Sequence, residues 1–180
     1  MEYQLIRSRR KTICIQISRT GEVIVRTPMR AALRDIEAFI RAKEPWIKKH
    51  VSKRQAEPAL PPFTAAELRE LADRAVKVIP ERVKLYAAKM GITYGRITIR
   101  AQRTRWGSCS AKGNLNFNCL LMLTPMEVID SIVVHELAHR KEMNHSERFY
   151  EVVREAYPDY KTCEAWLKRN GPQLMRRLTE

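Results

Sequence analysis

Residues 133–139 read VVHELAH, and His145 follows six residues after the end of this stretch. Three of the four histidines of the chain fall in this one window. Side chains four residues apart share one face of a helix, so His135 and His139 can bind the same ion. In this HExxH pattern the carboxylate between the two ligands, here Glu136, serves as the general base of a zinc hydrolase. The spacing therefore predicts a metal helix around which the rest of the chain is arranged.

A catalytic zinc ion takes three protein ligands and keeps one open position, so the chain must supply a third ligand. His145 is the favoured candidate. Asn144 predicts the N-cap of a new helix, with Glu147 completing a capping box, and this places His145 in the first helical turn. The remaining alternatives for the third ligand are the carboxylates of Glu142, Glu147 and Glu151.

The helix that carries the motif is itself well specified. Thr124 predicts a cap, Pro125 suits the first helical position, and Glu127 suits the third. The residues that follow are mostly apolar: Val128, Ile129, Ile132, Val133, Val134, Leu137 and Ala138. A chance HExxH on a solvated helix is the alternative, but this helix is too apolar for the protein surface.

The charge of the chain is strongly positive. Its 34 Lys and Arg residues exceed its 20 Asp and Glu residues and give a net charge of +14. Such a charge favours anionic partners such as nucleic acid or nucleotides, although solubility alone is an equal explanation. The four cysteines are scattered without a C-x-x-C pair, which argues against a disulfide framework and favours the cytoplasm. We expect no signal peptide and no membrane span.

The first third of the chain predicts a small unit of its own. Ile13, Ile15 and Ile17 alternate with polar residues as in a half-buried strand, and the return strand follows a turn at 18–22. Thr27 and Pro28 predict the start of a helix. We therefore expect a β-hairpin and helix unit at 1–55, a proline-rich linker at 56–63 and a catalytic unit at 64–180.

Prolines are expected to interrupt several helices. Pro45 and Pro80 should each bend or divide a helix, and Pro158 should end one. The run NGP at 170–172 predicts a helix stop.

The segment before the metal helix predicts strands around a polar loop. Residues 97–100 form one strand, and alternation of Leu115, Phe117, Cys119 and Leu121 predicts another. The loop between them holds Arg105, which is the candidate substrate-binding cation, and Trp106, which we expect in the core. Cys109 as a thiol nucleophile is a minor alternative because no histidine lies near it in sequence.

Four motifs together resemble the YgjP-like metallopeptidase family: RWGSCS at 105–110, GNLNFN at 113–118, HELAH at 135–139 and NHS at 144–146. The resemblance extends over nearly the whole chain. It implies an α+β, zincin-like domain with a small antiparallel sheet and an active-site helix. It also implies zinc on His135, His139 and His145, with Glu136 as the catalytic base.

The resemblance leaves three functional hypotheses. The first is a zinc-dependent metallopeptidase that acts on a peptide or protein. The second is a nucleoside-triphosphate (UTP) pyrophosphatase that uses the same metal site, since one relative of the family is described in that way. The third is a nucleic-acid-associated protein with a non-catalytic metal site, which the positive charge of the chain would suit. The fold also looks similar to that of the SprT-like and WLM proteases, which act on DNA-bound proteins.

Overall fold

The computed structural model describes residues 1–18, 21–56 and 60–178, and the side chains of all of these except 53–56. It contains helices and two small three-stranded sheets, so the predicted α+β class is confirmed. The chain divides into two compact units, Met1–Ala59 and Leu60–Glu180. The three-part division at 1–55, 56–63 and 64–180 stays a prediction, because residues 57–59 of the linker lie outside the described residues.

The first unit contains β1 (Gln4–Ser8), β2 (Cys14–Ile17), β3 (Val23–Pro28), α1 (Leu33–Ala42) and α2 (Glu44–Ala56). β3 is the central strand: it pairs antiparallel with β2, as predicted for the hairpin, and parallel with β1. The middle of the predicted turn, residues 19 and 20, lies outside the described residues. The core of the unit consists of Val23, Val25, Ile36, Ile40 and Ile47.

The predicted helix start at Thr27 and Pro28 is wrong. Both residues belong to β3, where they pair with Arg7 and Ser8 of β1. Arg7 holds this end of the strand by donating hydrogen bonds to the carbonyl oxygens of Met29 (2.9 Å) and Ala31 (2.8 Å). Pairing with β1 therefore extends β3 through Thr27 and Pro28. No local sequence pattern shows this pairing, so the two residues read as a helix start.

The second unit begins with α3 (Ala65–Met90), β4 (Ile97–Arg100), β5 (Gly107–Cys109) and β6 (Leu115–Asn118). A 3₁₀ helix (Cys119–Leu123), α4 (Met126–Ala138), α5 (Glu147–Ala156) and α6 (Tyr160–Arg176) complete it. The expected antiparallel sheet is a mixed one, because β6 pairs antiparallel with β5 but parallel with β4.

The strand predicted to continue to Leu121 ends at Asn118. The Asn118 side chain accepts a hydrogen bond from the Leu120 amide (3.1 Å) and so caps the 3₁₀ helix. Leu121 and Cys119 are buried in the core even so. The apolar residues were therefore placed correctly inside the protein, but a buried side-chain cap changed the backbone that carries them.

The prolines divide into two groups. α1 and α2 are separate helices with Pro45 in the first turn of α2, and Pro158 separates α5 from α6, as expected. Pro80 and Pro172 instead lie inside α3 and α6, which continue through them, so a division at Pro80 and the stop at 170–172 were predicted wrongly, while a bend at Pro80 stays a prediction. Packing of the buried face of α3 outweighs the roughly 3 kcal/mol that an internal proline costs.

Gly171 has a packing function instead of ending α6. It is buried, and a Cβ atom added there would lie 3.0 Å from Cζ2 of Trp106. Trp106 packs against the hydrophobic core, as predicted. The glycine therefore makes room for the indole ring, and the helix passes through the predicted stop.

α3 and α4 are tied together by a charged network as well as by apolar packing. Arg82 of α3 donates two hydrogen bonds of 2.6 Å to the carboxylate of Asp130, which is 6% exposed. The Tyr86 hydroxyl donates a third, at 3.1 Å. These bonds fix the middle of α4, the helix that carries the HExxH motif. In the described part of the chain, no helix is long and apolar enough to cross a membrane.

Candidate metal centre

α4 fixes the first two histidines of the site. Ten of its residues are buried, so packing on nearly all sides sets its position. His135 lies in its last turn and His139 is its C-cap residue, with a distance of 5.0 Å between the two ring centroids.

At the other end the helix begins at Met126, and the Thr124 hydroxyl donates to the Leu121 carbonyl (2.8 Å). The cap predicted at Thr124 is therefore wrong, because its hydroxyl closes the preceding 3₁₀ helix.

His145 lies in the loop after α4, outside any helix. The Asn144 side chain accepts a hydrogen bond from the Ser146 amide (3.1 Å), and the Ser146 hydroxyl accepts one from the Phe149 amide (3.3 Å). Ser146 is therefore the N-cap of α5, and the capping box predicted for Asn144 and Glu147 is wrong. Two consecutive polar turns hold His145 between them.

The three imidazoles converge. One nitrogen of each of His135, His139 and His145 can be chosen so that all three lie within 4.8 Å of one another. The Nε2 atoms of His135 and His145 are 3.1 Å apart. Two nitrogens bound to one tetrahedral zinc at about 2.0–2.1 Å would be about 3.3–3.4 Å apart, so the spacing fits a shared ion. His145, the residue favoured from the sequence as the third ligand, belongs to this cluster, although it lies in a loop and not in the predicted first helical turn.

The acidic alternatives for the third ligand lie outside this cluster of the described residues. Glu147 forms an ion pair with Arg154 instead. Glu142 contributes its backbone, because its carbonyl oxygen accepts a hydrogen bond from Nδ1–H of His139 (3.2 Å). The donor set that the geometry favours is therefore three imidazoles.

Tyr160 is a neighbour of the site that the sequence did not reveal. Its hydroxyl lies 2.9 Å from Nδ1 of His135, and the residue is 7% exposed. Tyr160 is the first residue of α6 and lies 25 positions after the histidine. No local pattern connects two positions so far apart, so only the fold could identify this contact.

Glu136 is held in a narrow space between α4 and β5. It is 4% exposed, and a Cβ atom added to Gly107 would lie 2.6 Å from its Oε1 atom and 2.7 Å from its Cγ atom. Only a glycine therefore lets β5 pass so close to the carboxylate. A glycine inside a strand is a known sign of close approach, and this signal could have identified Gly107 from the sequence.

Burial dominates the electrostatics of the site. It raises the pKa of Glu136 to about 8, and the positive charge of Arg105 acts in the opposite direction. Burial, with smaller contributions from His139 and His145, lowers the pKa of His135 to about 3. The pKa of His139 is also lowered, mainly by burial. His135 and His139 are therefore neutral near pH 7, and the neutral imidazole is the form that binds a metal ion.

The site opens into a pocket of about 300 Å³. It is lined by Arg105, Gly107, Ser108, Cys109, His135, Glu136, His139, Met143 and His145. Arg105 itself is exposed, and its loop is fastened by the buried Asn118 side chain, which donates to the carbonyl oxygens of Gln102 (2.6 Å) and Arg105 (3.0 Å). The candidate cation and the three imidazoles thus line one cavity.

Cys109 shares the pocket but lacks the properties of a nucleophile. Burial, and to a smaller extent the charge of Glu136, raises the pKa of its thiol. A nucleophilic cysteine needs a lowered pKa, because the thiolate is the reactive form. The geometry therefore favours metal chemistry over the thiol alternative.

Among the comparisons with known proteins, the match to a family model agrees with this centre. A family model described as "YgjP-like, metallopeptidase domain" matches residues 11–73 and 64–170. No curated protein sequence matches the chain. The chain is similar in structure to the metallopeptidase zymogen of Methanocaldococcus jannaschii jannalysin, with a TM-score of 0.45 and 21% identity over 51% of this chain and 94% of the other. For the metallopeptidase zymogen of Pyrococcus abyssi abylysin, the TM-score is 0.47, with 20% identity over 52% and 96%. Both scores lie below 0.5, so the family model alone decides the assignment.

Proposed function

The chain belongs to the YgjP-like metallopeptidase family, and from that premise we propose that it is a zinc-dependent peptidase whose metal is bound by His135, His139 and His145. The observation that carries the proposal is the convergence of these three side chains within 4.8 Å. Imidazole suits zinc, copper, iron and nickel. The HExxH helix is typical of zinc peptidases, which favours zinc among these metals.

The residues around the three histidines suit peptide hydrolysis. When bound there, zinc supplies a Lewis acid that polarises a carbonyl group and lowers the pKa of water. In its ionised form, Glu136 takes a proton from the attacking water as general base and returns it to the leaving amine. Its burial against Gly107 keeps the carboxylate in one position, so that proton transfer needs no rearrangement of the side chain.

Arg105 is the candidate for binding the substrate. Its guanidinium group lines the same pocket as Glu136. A cation there stabilises negative charge that develops on the carbonyl oxygen of the substrate. The backbone of its loop is fixed by Asn118, which reduces the entropy lost when the substrate binds.

Replacement of Glu136 tests the proposal. Glu136→Gln keeps the shape of the side chain and removes its ability to accept a proton, so we expect zinc to stay bound and peptidase activity to fall about 10²–10⁴-fold. Zinc content and hydrolysis of a casein-derived peptide are measured in the same preparation. Glu127→Gln is the matched control, because Glu127 lies exposed at the other end of α4.

UTP is assayed beside the peptide to separate the proposed peptidase from the pyrophosphatase alternative. We expect peptide cleavage that depends on Glu136 and no release of pyrophosphate. Pyrophosphate release that is lost in Glu136→Gln, without peptide cleavage, would reverse the assignment. Activity unchanged by Glu136→Gln would remove this residue as the base.

A further inference from the structure

Tyr160 contacts His135 on the side of the ring that faces away from the other two histidines. Its hydroxyl lies 2.9 Å from Nδ1 of His135, whereas Nε2 of the same ring is 3.1 Å from Nε2 of His145. The two rings are nearly parallel, with an angle of 18° between their planes. One ring nitrogen of His135 therefore faces Tyr160, and the other faces the candidate metal position.

A neutral imidazole carries its single proton on one nitrogen and a lone pair on the other. The partner of the outer nitrogen decides which tautomer is present. A phenolic oxygen that accepts a hydrogen bond from Nδ1–H leaves the Nε2 lone pair free for a metal. The opposite tautomer would place a proton on Nε2, where it blocks coordination.

We propose that Tyr160 is a positioning residue of the metal centre: its hydroxyl oxygen accepts a hydrogen bond from Nδ1–H of His135 and fixes the tautomer that presents Nε2 to the metal. This inference rests on the proposed function, since it takes His135 to be a ligand. The HExxH motif contains no residue of α6, so the inference gives this helix a role in the site.

The two helix-borne histidines have different outer partners. Nδ1–H of His139 donates to a backbone carbonyl, that of Glu142, at 3.2 Å. His135 instead has a side-chain partner, which a single substitution can remove. His135 is therefore the position at which the outer hydrogen bond can be tested without a change to the backbone.

Packing of α6 against α4 fixes the position of the Tyr160 hydroxyl. Tyr160 is 7% exposed and its amide donates to the Tyr157 carbonyl at 3.1 Å. One helical turn later, the thiol of Cys163 donates to the Glu127 carbonyl of α4 at 3.4 Å. The contact between the first turn of α6 and the metal helix thus holds the phenol in place before any metal binds.

Tyr160→Phe is the test, and Tyr150→Phe is its control. Tyr150 lies beside both groups, with ring centroids 6.3 Å from those of His145 and of Tyr160, and its hydroxyl has no hydrogen bond to a histidine among the described residues. The zinc dissociation constant is measured by competition with a chelator. Outer-partner substitutions weaken metal binding about 10–100-fold, so we expect this loss for Tyr160→Phe and less than about threefold for the control.

The tautomer of His135 is measured separately, from side-chain ¹⁵N chemical shifts in the metal-free protein. We expect the Nδ1–H form in the wild type and in Tyr150→Phe, and a population with the proton on Nε2 in Tyr160→Phe. Thermal unfolding of the same samples shows whether the variants are folded. If Tyr160 only stabilised the fold, Tyr160→Phe would leave the tautomer of His135 unchanged.

The inference would be overturned by an Nε2–H tautomer of His135 in the wild type, or by a wild-type tautomer and zinc affinity in Tyr160→Phe. Weaker zinc binding with an unchanged tautomer would also overturn it, because the loss would then come from altered packing. If the wild type binds no zinc, the proposed function fails. The tautomer measurement still decides the inference in that case, since it needs no metal.

Discussion

α4 and the loop that follows it hold the same set of histidines by different means. α4 is buried on nearly all sides and is joined to α3 by the bidentate pair of Arg82 and Asp130. His145 is exposed, and two hydrogen bonds shape its loop. The Ser146 amide donates to the Asn144 side chain, and the Ser146 hydroxyl accepts from the Phe149 amide. Two of the three proposed ligands are therefore positioned by the core and the third by local turns. Changes at the two places should therefore have unequal effects.

Replacement of a proposed ligand by glutamate should give the largest difference in zinc affinity between the two regions. His139→Glu places a charged side chain at a position that is 8% exposed, at the end of a helix whose residues are mostly buried. We expect zinc affinity to fall by more than about 100-fold, beyond the loss caused by an outer partner. His145→Glu keeps a possible zinc ligand on an adjustable loop, and we expect a loss of about tenfold or less.

Zinc titration against a competing chelator measures both variants. Equal losses would contradict the difference between core-held and loop-held ligands. Thermal unfolding without metal provides the control, because His139→Glu should also destabilise the metal-free protein.

Gly107→Ala tests how firmly α4 is held. The new Cβ atom would lie 2.6–2.9 Å from the Glu136 side chain, and because α4 cannot move aside, the carboxylate must. A displacement of about 1 Å costs about 10²-fold in rate, so we expect turnover to fall by this factor while zinc stays bound.

Gly91→Ala is the matched control for this substitution. Gly91 has a φ of +62° at the end of α3, and a Cβ atom there meets nothing within 4 Å. We expect this variant to lose about 1 kcal/mol of stability through backbone strain and to keep its turnover. Full turnover in Gly107→Ala would show that α4 yields, and the comparison would then be wrong.

Ser146→Ala gives the smallest expected effect. It removes the N-cap of α5, which is worth about 1 kcal/mol, and loosens the turn that holds His145. We expect zinc affinity to fall about fivefold, the factor that corresponds to about 1 kcal/mol. Thr64→Ala removes the equivalent cap of α3, so it should cost similar stability and leave zinc affinity unchanged. Equal affinities in the two variants would show that the cap does not position His145.

The metal helix could be predicted from the sequence because its signals are local. The i, i+4 spacing of His135 and His139 and the apolar residues around them determine both the helix and the face that carries the site. The capping box of Thr64 and Glu67 at the start of α3 is a local pattern of the same kind, four residues long. Gly91, which has a positive φ at the end of α3, is another local signal.

The contacts that complete the site could not be predicted because they join distant positions. Tyr160 contacts His135, which lies 25 residues before it, and Gly107 of the outer strand β5 approaches Glu136 of α4. Helix ends were misjudged for the same reason: Pro80 and Pro172 lie in helices that tertiary packing keeps continuous. The roles of Glu136 and Arg105 remain predictions, and Glu136→Gln tests the first of them.

Gly171 also bears on the loop that carries Arg105 and Trp106. The indole ring of Trp106 fills the space beside Gly171, and the next residue, Gly107, lies close to the Glu136 side chain. A methyl group added at position 171 would lie 3.0 Å from Cζ2 of the ring, so the ring or α6 would have to shift. The size of one side chain in α6 therefore sets the space available to the segment that leads into β5.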